Sequence, residues 1–159
     1  MTTKQYLQQY RNATHRANRY RERIAQIEST LQSVNLDGLP RGTNTGDPTM
    51  RAAVSLATLK EELKAAEIEA QTLAQRIADQ IERVPDEKSR ELLFCRYVLL
   101  MKWEDVARSL NKFRPFQEYE LKHVIGYLHR KALADFETVN GTQAHQNAKT
   151  PPYEQEATK

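Results

Sequence analysis

Two long stretches of the chain repeat apolar residues at alternating steps of four and three. The first runs from Tyr6 to Val34 and the second from Ala52 to Ile81. This spacing places the apolar side chains along one side of a helix, as in the seam of a coiled coil. Neither helix can bury its seam alone, so we expect an antiparallel helical hairpin over residues 1–84 with a connector loop at 35–49. The same seam also allows pairing between chains, and a homo-oligomer formed through the hairpin is expected.

The pattern changes after Pro85 to three shorter helical stretches. Proline lacks an N–H group and pushes the preceding residue away from helix, so the second long helix should end here. Apolar residues at helical spacing predict helices over 86–100, 103–110 and 116–137, and strand-like alternation is absent. We therefore predict an all-α fold with a three-helix domain at 85–137. The polar residues 138–159 are predicted to be a disordered tail.

Composition excludes several classes of protein. The chain has 159 residues, of which only 39% are hydrophobic, and a mean hydropathy of −0.77. These values argue against a TIM barrel or a complete dinucleotide-binding enzyme. No apolar run approaches the roughly 18 residues that span a bilayer, and the first residues lack the apolar core of a signal peptide. The single cysteine, Cys95, lies in an apolar run and predicts a buried thiol. We expect a cytoplasmic protein without a membrane partner.

The net charge of +3 is unevenly distributed. Residues 1–34 hold six basic and two acidic side chains, and residues 85–135 hold ten and eight. Residues 51–84 hold five basic and six acidic side chains. The first helix and the C-terminal domain are therefore candidates for an acidic partner, of which nucleic acid is the commonest.

The sequence contains few residue patterns that indicate catalysis or cofactor binding. The four histidines show no metal-ligand spacing, and Gly42 and Gly46 of the connector lack the Lys-Ser/Thr pair of a phosphate-binding loop. Acidic pairs such as Glu61 and Glu62 lie among lysines on a predicted helix surface. We expect no enzyme activity, no cofactor and no bound metal.

The C-terminal domain has the layout of a helix-turn-helix. A short second helix, a break and a longer basic helix fit this motif, although many three-helix bundles share the pattern. The last helix has an apolar inner face and long polar side chains on its other face. The predicted DNA-binding residues are Lys122, His123, Tyr127, Arg130 and Lys131 on that helix, with Lys112 and Arg114 before it placed to reach phosphate.

Three segments of this domain resemble region 4 of sigma-70-type factors. They are Glu91–Tyr97, Lys102–Leu110 with its Trp-Glu-Asp-Val-Ala core, and Leu128–Leu133. The chain from about residue 4 to 136 resembles the phage-encoded RinA/ArpU-like late transcription activators of Gram-positive hosts. The matching elements are Tyr6–Arg11, Pro40–Asp47 and again Leu128–Leu133, in the same order.

The resemblance implies a phage late-gene activator that binds double-stranded promoter DNA in the host bacterial cytoplasm. Host RNA polymerase is a further implied partner. The segment 111–120 is longer than the corresponding sigma turn and is expected to lengthen the last helix backwards or to re-aim it. Val124 and Gly126 stand where sigma factors carry DNA-contacting arginines.

Two alternatives stay open from the sequence. A phage small terminase subunit also combines a helix-turn-helix with a helical hairpin, and it recognises packaging sites instead of promoters. The other alternative is a coiled-coil interaction module that does not bind DNA.

Overall fold

The chain is all-α, as the sequence pattern predicts. The structure, a computed structural model, describes residues 1–35, 48–112 and 118–146, and these contain no strand. None of the described helices is both long enough and apolar enough to cross a membrane. The helices are α1 (Thr3–Leu7), α2 (Gln9–Asn35), α3 (Pro48–Glu82), α4 (Glu87–Leu93), α5 (Trp103–Asn111), α6 (Leu121–His123) and α7 (His129–Gln146).

Two wider, π-helical turns extend this set. The turn Phe94–Val98 continues α4, and the turn Val124–Leu128 joins α6 to α7, so that 121–146 form one continuous helix. We call this continuous element the final helix. Most of the predicted connector, residues 36–47, lies outside the described residues.

Contacts divide the chain into two units. One unit is Asn12–Gln71, and the other combines Met1–Arg11 with Thr72–Lys159. This division differs from the expected boundary at residue 84. The reason is that α1 and the end of α3 bury their apolar side chains in the same core as the C-terminal helices.

The unit Asn12–Gln71 contains parts of α2 and α3 that run antiparallel. The seam buries four alanines, which are Ala13, Ala17, Ala66 and Ala70. Three ion pairs cross between the helices in antiparallel order: Arg16 with Glu69, Arg21 with Glu67, and Lys60 with Glu28. All six side chains are well exposed to solvent, so these pairs add little stability and mainly record the register of the helices.

The second unit holds the larger core. Phe136 of the final helix and Tyr6 of α1 are both almost fully buried, with ring centroids 6.3 Å apart. The predicted buried thiol, Cys95, is confirmed at 5% exposure. The remaining members of the cluster are Leu7, Ile77, Ile81, Val84, Leu92, Leu93, Tyr97, Val106, Ala107, Leu110, Val124 and Ala132.

The turn before α5 is closed by an unusual residue. Leu100 adopts a left-handed backbone with φ of 55°, a conformation that glycine more commonly supplies at the end of a helix. The Met101 N–H then donates to the Cys95 carbonyl over 3.0 Å. This bond ends the π-helical extension of α4 and lets α5 begin after Lys102.

Both ends of the last predicted helix need correction. Residues 118–120 are not helical, so the insert does not lengthen the helix backwards through them. At the other end the helix continues to Gln146, so residues 138–146, predicted as part of the disordered tail, are helical. Asn140 explains the continuation: it is 1% exposed, and its side-chain amide donates to the carbonyls of Gln80 and Phe136. Residues 147–159 lie outside the described residues.

Candidate functional site

The final helix separates a buried face from an exposed one. Val124, Ala132 and Phe136 on the inner face are completely buried. Together with Leu128 they follow one another at steps of four, which in a regular α-helix drift around the axis by about 40° per step. The π-helical turn takes up this drift, because it accommodates an extra residue and returns Ala132 to the side of Val124. The outer face is thereby kept on one side along its length.

Two predicted site residues, Lys122 and Arg130, lie on the outer face of the final helix. Both are exposed. Within residues 1–35, 48–112 and 118–146, no carboxylate forms an ion pair with either side chain. Both charges are therefore available to an acidic partner.

Between these cations the helix exposes apolar groups. Ile125 is 39% exposed and Tyr127 is 54% exposed, and Gly126 leaves bare backbone. Sequence reasoning selected Tyr127 but missed Ile125 and Gly126, because an isoleucine in a helical stripe is usually assigned to the core. The exposure of Ile125 and Gly126, beside the buried Val124, becomes clear only when the π-helical turn at Val124–Leu128 is known.

Lys131, also a predicted DNA-binding residue, is ion-paired within the fold. Its ammonium lies 2.9 Å from a carboxylate oxygen of both Asp86 and Asp135. The Ser89 hydroxyl lies within 2.7 Å of the same oxygens, and we call these four residues the α4 clamp. Hydrogen bonds from Lys131 and then Ser89 lower the pKa of Asp86 to about 2, and the carboxylates raise the pKa of Lys131 to about 12. Lys131 thus ties the final helix to the start of α4.

Asp86 also caps α4, so its replacement should destabilise the unit. Its carboxylate accepts the Ser89 backbone N–H at 3.2 Å. We expect Asp86→Ala to cost about 1 kcal/mol of unfolding free energy, the usual effect of a lost N-cap. Urea denaturation followed by circular dichroism measures this loss. Glu87→Ala, which removes the same charge one residue later, should change the midpoint much less, and equal midpoints for the two variants would contradict the capping role.

His123 belongs to a stack of three rings. Tyr119 and His123 have centroids 5.5 Å apart, and His123 and Tyr127 have centroids 5.2 Å apart, with the planes inclined by 13° and 26°. The stack borders a groove of about 270 Å³ that is also lined by Leu92 and Lys131. The spacing of four residues between the three rings was visible in the sequence, but only His123 and Tyr127 were selected as site residues.

Asn111 holds the start of this stack in place. Its side-chain amide donates to the Tyr119 carbonyl at 3.0 Å, and its amide oxygen accepts the Tyr119 N–H at 2.8 Å. The longer segment between α5 and the final helix is therefore closed at its base. Lys112 is exposed immediately after α5, whereas Arg114 lies outside the described residues.

A buried histidine supports the final helix from behind. His129 is 7% exposed, its Nε2 lies 2.8 Å from the Tyr97 hydroxyl, and the Trp103 ring meets it edge-on at 4.8 Å. Burial, with the charges of Lys4 and Arg96, lowers the pKa of His129 to about 4. Burial raises the pKa of Tyr97 to about 12. His129 is therefore neutral near pH 7 and positions the helix by packing and hydrogen bonding.

The described part of the chain contains no candidate metal site. No three His, Cys, Asp or Glu side chains gather there in a way that could hold a metal ion. Comparisons of the chain with protein-family models, with curated proteins and with solved structures found no match.

Proposed function

We propose that this protein is a sequence-specific, double-stranded DNA-binding transcriptional regulator of the phage late-activator type. It inserts the outer face of the final helix into the major groove. The observation that carries the proposal is the pair of cations, Lys122 and Arg130, exposed on the side opposite the buried Phe136 and not ion-paired with any carboxylate of the described residues.

The dimensions suit this mode of binding. Residues eight apart on a helix are separated by about 12 Å along its axis, close to the roughly 12 Å width of the major groove. Lysine neutralises phosphate as a point charge, and arginine can also form two hydrogen bonds to guanine. The two ends of the exposed face can therefore reach the DNA at the same time.

The packing of α5 also supports the proposal. This short helix contacts α4 and the beginning of the final helix, the position of the bracing helix in a helix-turn-helix. The resemblance to sigma region 4 extends the proposal to promoter DNA and to contact with host RNA polymerase. The longer insert distinguishes this chain from the sigma pattern.

Binding to duplex DNA tests the proposal. Fluorescence anisotropy of the intact chain with a labelled random-sequence duplex should show binding at low salt that weakens linearly as log salt rises, since phosphate contacts release counterions. Enrichment from a randomised duplex pool should then yield a preferred sequence. Absence of binding at low salt would refute the proposal and favour a protein-interaction module.

We further propose that copies of the chain associate through α3. Met50, Val54 and Ile68 are 68%, 62% and 56% exposed, on the side of α3 opposite the buried Leu59 and Ala66. Packing a second copy of α3 on this side would remove these apolar side chains from water.

Light scattering on the eluting protein should therefore report a mass above 18.4 kDa. Val54→Glu with Ile68→Glu should shift the intact chain towards monomer. Asn12→Glu with Ser29→Glu, which adds the same charge at two exposed positions of α2, should leave the mass unchanged. A wild-type monomer would contradict association, and a large closed ring would favour the small terminase alternative.

A further inference from the structure

Gly126 lies in the middle of the exposed face, four residues from both Lys122 and Arg130. A Cβ added at this position would meet no atom within 4 Å, and the backbone does not adopt a left-handed conformation. Neither packing nor backbone geometry within the described chain therefore requires glycine here. Glycine in a helix interior nevertheless costs about 1 kcal/mol relative to alanine.

An external surface that approaches the helix backbone would make use of the missing side chain. The flanking cations identify this surface as acidic at two points about 12 Å apart. The apolar side chain of Ile125, 39% exposed, lies beside Gly126. The partner surface should therefore be less polar between its two acidic points. The major groove has this arrangement, because two rows of phosphates border base edges that include the thymine methyl group.

We propose that Gly126 is the point of closest approach between the final helix and the base pairs, and that Gly126 and Ile125 determine the preferred sequence. The inference rests on the proposed DNA-binding function and adds the residues that read the bases. Ile125 contacts a thymine methyl group, and Lys122 and Arg130 hold the helix at the depth that this contact requires. Without a side chain at 126, the helix can reach that depth.

Two glycine variants test the role of Gly126. Gly126→Ala and Gly141→Ala both add a methyl group to the final helix, and at Gly141 the nearest atom is the Glu137 Cγ at 3.8 Å. Both variants should retain or raise the melting temperature, because alanine favours helix. For the duplex enriched by the wild-type chain, Gly126→Ala should lower affinity about tenfold, the scale of one mismatched base pair, and Gly141→Ala should not. Affinity for a scrambled duplex should stay the same in both.

A change in the DNA tests Ile125 separately. Replacing each thymine of the enriched duplex by uracil removes one methyl group at a time. At one position this should weaken wild-type binding about fourfold, the value of one buried methyl group, and the loss should disappear in Ile125→Ala.

The possible failures are distinguishable. If the wild-type chain enriches no sequence, the proposed function fails, and this inference fails with it. If the wild-type chain enriches a sequence and Gly126→Ala binds it equally well, the inference alone is overturned. A uracil effect that persists unchanged in Ile125→Ala would overturn the assignment of the methyl contact.

Discussion

Replacing Lys122 and Arg130 together by alanine should weaken DNA binding by about 30-fold or more at low salt. The slope of log affinity against log salt should also fall by about two, because each lost phosphate contact removes about one released counterion. Folding should be little affected, since neither side chain pairs with a carboxylate of the described residues. Exposed substitutions of this kind usually change stability by less than about 0.5 kcal/mol.

A matched variant separates local contact from net charge. Arg51 and Lys64 are exposed on α3, and replacing both by alanine removes the same two charges from a different part of the chain. This control should keep nearly the wild-type affinity and salt slope. If the control loses as much affinity as the Lys122 and Arg130 variant, binding depends on overall charge and the final helix is not the interface.

Lowering the pH from 6.5 to 4 should destabilise the folded chain by up to about 3 kcal/mol through His129 alone. The folded-state pKa of this buried residue is lowered from 6.5 to about 4, so the unfolded chain takes up the proton more readily. Above pH 6.5 His129 is neutral in both the folded and the unfolded chain, and its burial costs no stability. As the pH falls from 6.5 through the folded-state pKa, the unfolded chain binds the proton first, and the free energy of unfolding decreases. Asp86 affects stability in a lower pH range, because its pKa is lowered from 3.8 to about 2 in the folded chain.

Urea denaturation at a series of pH values measures this effect. Trp103 is the only tryptophan and lies against His129, so its fluorescence reports directly on this part of the core. His129→Leu should lose most of the pH dependence between 6.5 and 4. His123→Gln, which replaces an exposed histidine six residues earlier, should keep it. A wild-type stability that stays constant over this range would show that the buried histidine does not resist protonation.

The helices could be predicted from the sequence because their signals are local. Alternating steps of four and three predicted the long helices, and Pro85 correctly separated the second from α4. The division into units could not be predicted, since the packing of Tyr6 in α1 against Phe136 joins residues 130 positions apart. The helix beyond residue 137 was missed because Asn140 reads as a turn residue, whereas here its amide is buried against Gln80.

The candidate site also depends on contacts between residues that are far apart in sequence. Lys122, Arg130 and Lys131 look equivalent in sequence, since all are basic residues on one predicted helix. Only the fold shows that Lys131 reaches Asp86, 45 residues earlier, while the other two have no such partner in the described chain. The π-helical turn was also unpredictable, because a run of apolar residues at steps of four does not specify where the helix widens.

The most direct test of the proposed interface is a ¹H–¹⁵N NMR titration of the intact chain with its enriched duplex. We expect the largest shift changes on the backbone amides of residues 121–131, with Gly126 among them. The amides around Arg51 and Lys64 on α3 should move little. Shift changes confined to α2 and α3, with the final helix unchanged, would contradict DNA recognition by the final helix.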